Sequence, residues 1–280
     1  MHRCGTVHEP AFPAPHIKTD RAVDYSTFLI PVRIFNKSGQ AVTAQGIGKK
    51  IIDDLNSMFA GQDPNYEFYK NSHFDFSDNP AIGEQFKSMI NNRGQLDVTF
   101  YLHSIVNGPT VTLNYDNGLP TLPTMNTAIK KIGGTPDVSS NDINKYFNLW
   151  IIDSLTYSDE TGDNIINGYA HFPWYTSLAR YDGVVISYYT INSGSEVRGL
   201  NHTLIHETGH WFGLFHTFDT GVPNPAYNVD DVSGIAGDEL SGDGVPDTPA
   251  QQVATYGNPF SSSPTTWPLN SSGQLVMFFN

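Results

Sequence analysis

Residues 206–216 read HETGHWFGLFH, which places His206, His210 and His216 with Glu207 at a spacing suited to a single metal ion. Residues four apart stack on one face of a helix, so His206 and His210 can both aim a ring nitrogen at one point only if they share a helix. Zinc takes nitrogen ligands in a tetrahedron, and three protein ligands leave a fourth position for a water whose pKa the ion lowers toward neutrality. Glu207 follows the first ligand and would stand beside the ion without binding it, placed to move that water's proton. A shorter HExxH match is a modest signal in a chain with ten histidines. The full pattern, with Gly213 and His216 added, is far more specific. A purely structural zinc site would need a fourth protein ligand and would leave Glu207 unused.

The elements that position this constellation follow from periodicity. A helix is predicted from about 200 to 212. Gly213 accepts the left-handed backbone that ends a helix, which lets the chain turn back and bring His216 to the other two ligands. Upstream, Phe28, Ile30, Val32 and Ile34 alternate as in a strand, and Ile47, Ile51, Leu55, Met58 and Phe59 repeat at helical spacing. Leu96, Val98, Phe100 and Leu102 alternate again, 149–152 is a short buried-strand candidate, and 182–186 is another apolar run. Residues 104–140 are rich in Gly, Pro, Asn and Thr and read as loop. Residues 167–173 read as a strand, and Pro173 puts its end at a sheet edge, where an extended peptide can add itself as a further strand. Strand followed by helix implies an α/β, mixed α+β, layered fold. Residues 1–24 read as an extended leader, 25–216 as the main subdomain, and 217–280 as an irregular C-terminal one.

A chain of 280 residues with 39% hydrophobic content is long enough to bury a large core. Its net charge of -13 argues against nucleic acid and against an anionic membrane surface as partners. No Lys or Arg follows Arg198, whereas Asp219, Asp230, Asp231, Asp238, Glu239, Asp243 and Asp247 all do. That field favours bound cations or a basic substrate. No apolar run is long enough for a membrane helix, and the N-terminus lacks the apolar core of a signal peptide, so export would require a leader removed from this sequence. Cys4 is the single cysteine, which rules out an internal disulfide.

Around the metal motif the chain resembles the metzincin zinc metallopeptidases of the pappalysin family, of the ulilysin type. The pieces that carry the resemblance are RCGT at 3–6, GYAHFP at 168–173, DGVVI at 182–186, HETGHWFGLFHTF at 206–218 and GDGVPDTPAQ at 242–251. The resemblance implies an upper subdomain with a twisted mixed sheet and helices, and an irregular lower one after His216. It implies a secreted zinc endopeptidase acting on protein or peptide substrates, with Glu207 as general base and with Gly168, Tyr169, Ala170, His171 and Phe172 along the substrate. It further implies that Cys4 acts as a cysteine switch, its thiolate taking the fourth zinc position so that the N-terminal segment inhibits its own enzyme. A lone unpaired cysteine is the alternative.

The same resemblance implies a calcium site in GDELSGDGVPDTP, with Asp238, Asp243, Asp247 and Thr248 as ligands, against the alternative of a solvated acidic loop. It implies a Met-turn beneath the zinc, for which Met277 is the sole methionine after His216. Here the chain departs from the family, with Val276 and Phe279 where relatives carry an aromatic and a tyrosine; an ordinary core methionine is the alternative. The family's final helix would follow Asn280, which reads as a truncated or processed form. Outside the motif, His171 and His202 read as satisfied surface or core histidines. Two other classes stay open: a non-catalytic peptide-binding protein on a peptidase scaffold, and a zinc hydrolase acting on something other than peptides.

Overall fold

The computed structural model describes residues 2–4, 28–62, 96–132, 135–139, 142, 145–173, 180–192 and 201–216. The chain divides into two compact units, one of Met1–Val7, Asp20–Gln62 and Gln95–Gly213, the other of His8–Thr19, Asp63–Gly94 and Leu214–Asn280. The fold described below is that of the first.

Its strands are β1 (His2–Cys4), β2 (Phe28–Lys37), β3 (Val98–Asn107), β4 (Thr112–Tyr115), β5 (Lys131–Ile132), β6 (Thr135–Pro136), β7 (Phe147–Ile152), β8 (Ser154–Asp159), β9 (Gly162–Ala170) and β10 (Val184–Ser187). Its helices are α1 (Ile47–Phe59), α2 (Leu122–Ile129), α3 (Tyr188–Asn192) and α4 (His202–Trp211). Among the described residues, one mixed sheet runs β3-β2-β7-β10-β9-β8-β4, with β1 also joined to β9, and β5 and β6 form a separate ribbon. β2, β3, β7 and β10 pair in parallel, while β9 runs antiparallel to both β10 and β8.

The central strand β7 is buried on both faces, as its apolar sequence requires. Leu149 and Ile151 pack on one face with Ile51 and Leu55 of α1 and Leu204 of α4. Trp150 and Ile152 pack on the other with Leu122, Met125 and Ile129 of α2. The sheet is thus sandwiched between helices, and the α4 face is the one that carries the metal motif. Among the described residues no helix is long and apolar enough to cross a membrane.

The expected strands and helices at 28–34, 47–59, 96–102, 149–152, 182–186 and 200–212 are all present near those bounds. Two expectations are corrected. The stretch 104–140, read as loop, contains the end of β3, then β4, α2, β5 and β6. Thr121 caps α2 by accepting from the Thr124 amide, and a proline lies in its first turn, where no intrahelical donor is needed. The strand expected at 167–173 begins earlier, at Gly162, as the second arm of a hairpin with β8.

β9 also has more partners than an edge strand would. Gly168 pairs with both Ile186 and Cys4, and Ile165 with both Thr156 and His2. A residue in a sheet has one neighbour on each side, so β10 and β8 share one edge of β9 and β1 covers the other. The segment read as an extended leader includes a strand, β1, running parallel to β9.

Candidate metal centre

The α4 helix is fixed at both ends. Asn201, fully buried, caps it by accepting from the Leu204 amide at 2.9 Å, and its own amide donates to the Asp54 carboxylate of α1 at 3.2 Å. At the other end Gly213 has a φ of 97°, and its amide donates to the His210 carbonyl at 2.9 Å. This is the left-handed turn expected from the sequence, and it redirects the chain so that His216 follows within three residues.

His206, His210 and His216 offer ring nitrogens that all lie within 4.8 Å of one another. The Nε2 atoms of His206 and His210 face each other at 3.1 Å, and the two rings stand nearly perpendicular at 84°. Two nitrogens bound to one tetrahedral zinc at its usual bond length stand about 3.3 Å apart, so this pair suits a shared ion. His210 and His216 are buried and His206 is partly exposed, which leaves the cluster approachable from one side. Phe172, two residues beyond β9, packs its ring edge-on against His210 with centroids 5.3 Å apart. The donor set is three imidazoles, which fits zinc, and nothing in it needs a fourth protein ligand.

Glu207 is fully buried on the same helix. Its stem lies against β9: a Cβ built on Gly168 would sit 3.1 Å from Glu207 Cγ, 3.0 Å from Thr203 Cγ2 and 2.8 Å from the Val185 carbonyl. Only a glycine lets β9 approach α4 this closely.

The remaining sequence candidates fall as follows. Gly168, Tyr169 and Ala170 lie on β9, with Tyr169 and Ala170 fully buried. His171 is buried, as the core reading expected, with Nε2 at 2.9 Å from the Asn126 side chain, which also accepts from the Tyr169 hydroxyl at 3.1 Å. Burial, and then the nearby Lys130 charge, hold the His171 pKa well below the ordinary histidine value. Cys4 is placed by its backbone, opposite Gly168. Asp238, Asp243, Asp247, Thr248 and Met277 lie outside the described residues.

Sequence reasoning overlooked two charges behind the ligand helix, a half-buried Asp182 and a buried Lys130. Asp182, just before β10, accepts from the indole N–H of Trp211 at 3.2 Å, and Trp211 is the residue after His210. Lys130 donates to the Tyr181 carbonyl at 2.6 Å, and its ammonium lies over the Trp150 and Tyr169 rings. Desolvation lowers the Lys130 pKa strongly and raises that of Asp182, with each charge partly offsetting the other's penalty. The available signal was a charged residue directly ahead of a fully buried apolar run, at 182.

Comparison with known proteins agrees with this geometry. Residues 137–263 match the family Peptidase_M43, described as "Pregnancy-associated plasma protein-A". An extracellular metalloprotease of Neurospora crassa is 39% identical over 125 residues, 41% of this chain and 34% of that protein. One from Podospora anserina is 37% identical over 111 residues, 38% of this chain and 32% of its own length. The matched region thus spans only about a third of these curated relatives. Among solved structures, mature mirolysin of Tannerella forsythia, in complex with a cleaved peptide, superposes with a TM-score of 0.57 at 23% identity, covering 91% of this chain and 83% of mirolysin. A second mirolysin structure, bound to a compound, gives 0.56 at 21% identity, covering 90% and 81%. The fold is therefore a mixed α/β one similar to that of mirolysin, and the segment that carries the three histidines is similar to the pappalysin family of metallopeptidases.

Proposed function

We propose that this chain is a zinc-dependent endopeptidase that hydrolyses internal peptide bonds and is held latent by its own N-terminal segment. The observation that carries the first part is the convergence of His206, His210 and His216 with a buried Glu207 beside the same helix face. Those three residues would hold the ion, and zinc bound there would polarise a scissile carbonyl and acidify an attacking water. Glu207 accepts the proton of that water and delivers it to the leaving amine. Its burial keeps competing solvent away. The backbone of β9 at Gly168, Tyr169 and Ala170, continuing through His171 and Phe172, lines the substrate, which adds to the sheet as an extended strand.

The pairing of β1 supports the latent form. The outer edge of β9 that a peptide would need is the edge that β1 covers, and Cys4 stands in register with Gly168, the residue that touches the Glu207 stem. A thiolate from Cys4 on the zinc would exclude water, and cutting the leader would release both the thiolate and the strand. The names of the fungal relatives support secretion of the chain. In the acidic segment, Asp238, Asp243, Asp247 and Thr248 bind a structural calcium, and Met277 supplies an apolar floor beneath the zinc. Loss of heat stability on calcium chelation checks the former.

The deciding experiment is mass-spectrometric mapping of products from denatured protein and from a peptide library, with and without a chelator. The proposal expects internal cleavages that stop with the chelator and return with added zinc. Cleavage indifferent to the chelator, or zinc binding without cleavage even after the N-terminal segment is removed, would contradict it.

A further inference from the structure

The zinc helix ends in a residue that no step of the hydrolysis uses. Trp211 closes α4 immediately after His210, yet its indole is not simply packed. One side meets Phe147 of β7 edge-on, with ring centroids 4.9 Å apart and planes at 82°. Its N–H reaches outward to the Asp182 carboxylate. Asp182 itself has little freedom. The backbone turns at Gly183 with a φ of 129°, and a Cβ there would fall 2.1 Å from the Asn148 carbonyl and 2.9 Å from the Trp150 ring. The Asn148 amide also donates to the Asp182 carbonyl at 3.4 Å. Lys130, the residue directly after α2, donates to the neighbouring Tyr181 carbonyl and supplies the opposing positive charge.

We propose that Asp182 is a positioning residue for the metal site, fixing the rotation of the last turn of α4 through Trp211 and thereby the direction in which His210 offers its nitrogen. A helix side chain's aim is set by the azimuth of its turn, and a final turn followed by a glycine is otherwise held by few hydrogen bonds. The Asp182 carboxylate supplies a charge-assisted hydrogen bond at that place, from a segment that cannot shift because Gly183 is wedged against β7. The bond joins the β9–β10 connection, which leads away from the substrate-lining strand, to the ligand helix.

This inference rests on the three-histidine zinc reading, and the test separates the two. Zinc affinity of the full chain is measured by competition against a chromogenic chelator, for the parent and for Trp211→Phe, Asp182→Ala and Asp182→Asn, with thermal unfolding of the metal-free proteins alongside. A parent that binds no zinc defeats the reading of the site. With zinc bound by the parent, Trp211→Phe, which keeps the ring and loses the N–H, weakens zinc binding by about tenfold, the lower end of what is lost when a direct hydrogen-bond partner of a metal ligand is removed. Asp182→Asn, which keeps an acceptor oxygen, stays closer to the parent than Asp182→Ala. A merely structural role would lower thermal stability and leave zinc affinity of the folded protein unchanged. A smaller loss in Trp211→Phe, equal behaviour of the two Asp182 variants, or failure of Trp211→Phe to fold would each overturn the inference.

Discussion

Gly168 and Glu207 are so closely apposed that a methyl group on the glycine would stand 3.1 Å from the glutamate Cγ. The neighbouring contacts, with the Val185 backbone at 2.8 Å and Thr203 at 3.0 Å, leave that methyl nowhere to go without moving α4. Gly168→Ala is therefore expected to displace Glu207 while leaving the three histidines on one helix and turn. Misplacing a reacting group by about an ångström costs on the order of a hundredfold in rate. Steady-state kinetics with zinc content measured on the same samples checks this: kcat falls and zinc is retained.

The N-terminal end of α4 carries a titratable anchor in Asp54, whose carboxylate accepts from the Asn201 amide and pairs with Lys50 at 2.6 Å. Burial raises its pKa above the ordinary 3.8, outweighing the Lys50 pairing; the neighbouring Asp53 charge adds to the rise. A raised carboxyl binds its proton more tightly when folded, so its contribution to stability is full below pH 3.8 and is lost as pH climbs through the folded value. The stability of Asp54→Asn relative to the parent should accordingly improve as pH rises above that point and then level off. Denaturant unfolding of the metal-free proteins across acidic to neutral pH reads the difference directly.

Behind the sheet, Lys37 and Asp137 form an ion pair of 2.6 Å with side chains 1% and 0% exposed, and Trp150 also donates to the same carboxylate at 2.8 Å. Removing one member strands the other charge in the core. Lys37→Met and Asp137→Ala are each expected to cost about 3–5 kcal/mol, and the double replacement less than their sum. A double-mutant cycle by chemical denaturation measures it.

The proposed latency has two separable parts, because β1 both adds a strand to β9 and brings Cys4 to the register of Gly168. Cys4→Ala should raise the initial rate of peptide hydrolysis by removing the thiolate, and deletion of residues 1–7 should raise it further by exposing the strand edge. Rate measurements on freshly purified full-length, Cys4→Ala and truncated proteins give that order. A truncated protein no faster than the parent would remove the proposed inhibitory role.

The metal site was legible because its geometry is local: i,i+4 stacking and a glycine turn are fixed by backbone physics, and the observed cluster follows from them. Strands β2 and β3 and helix α1 were legible for the same reason, since their apolar periods are uninterrupted. α2 was missed because its eight residues complete too few turns to outweigh the Gly, Pro and Asn around them, although Thr121 marked its start. β8 was missed because its buried residues are Leu155 and Tyr157 among polar neighbours. The pairing of β1 with β9 and the approach of Lys130 to Asp182 depend on residues far apart in the chain, and no local pattern encodes them.

The central claim is that three histidines hold a zinc ion and Glu207 moves the proton. Peptide hydrolysis by zinc-loaded Glu207→Gln, with the N-terminal segment removed from both it and the parent, tests this most directly. The account predicts one zinc per chain, as in the parent, with turnover reduced by at least the ~10²–10⁴-fold that a positioned base contributes. Turnover at the parent's rate with zinc still bound would contradict it.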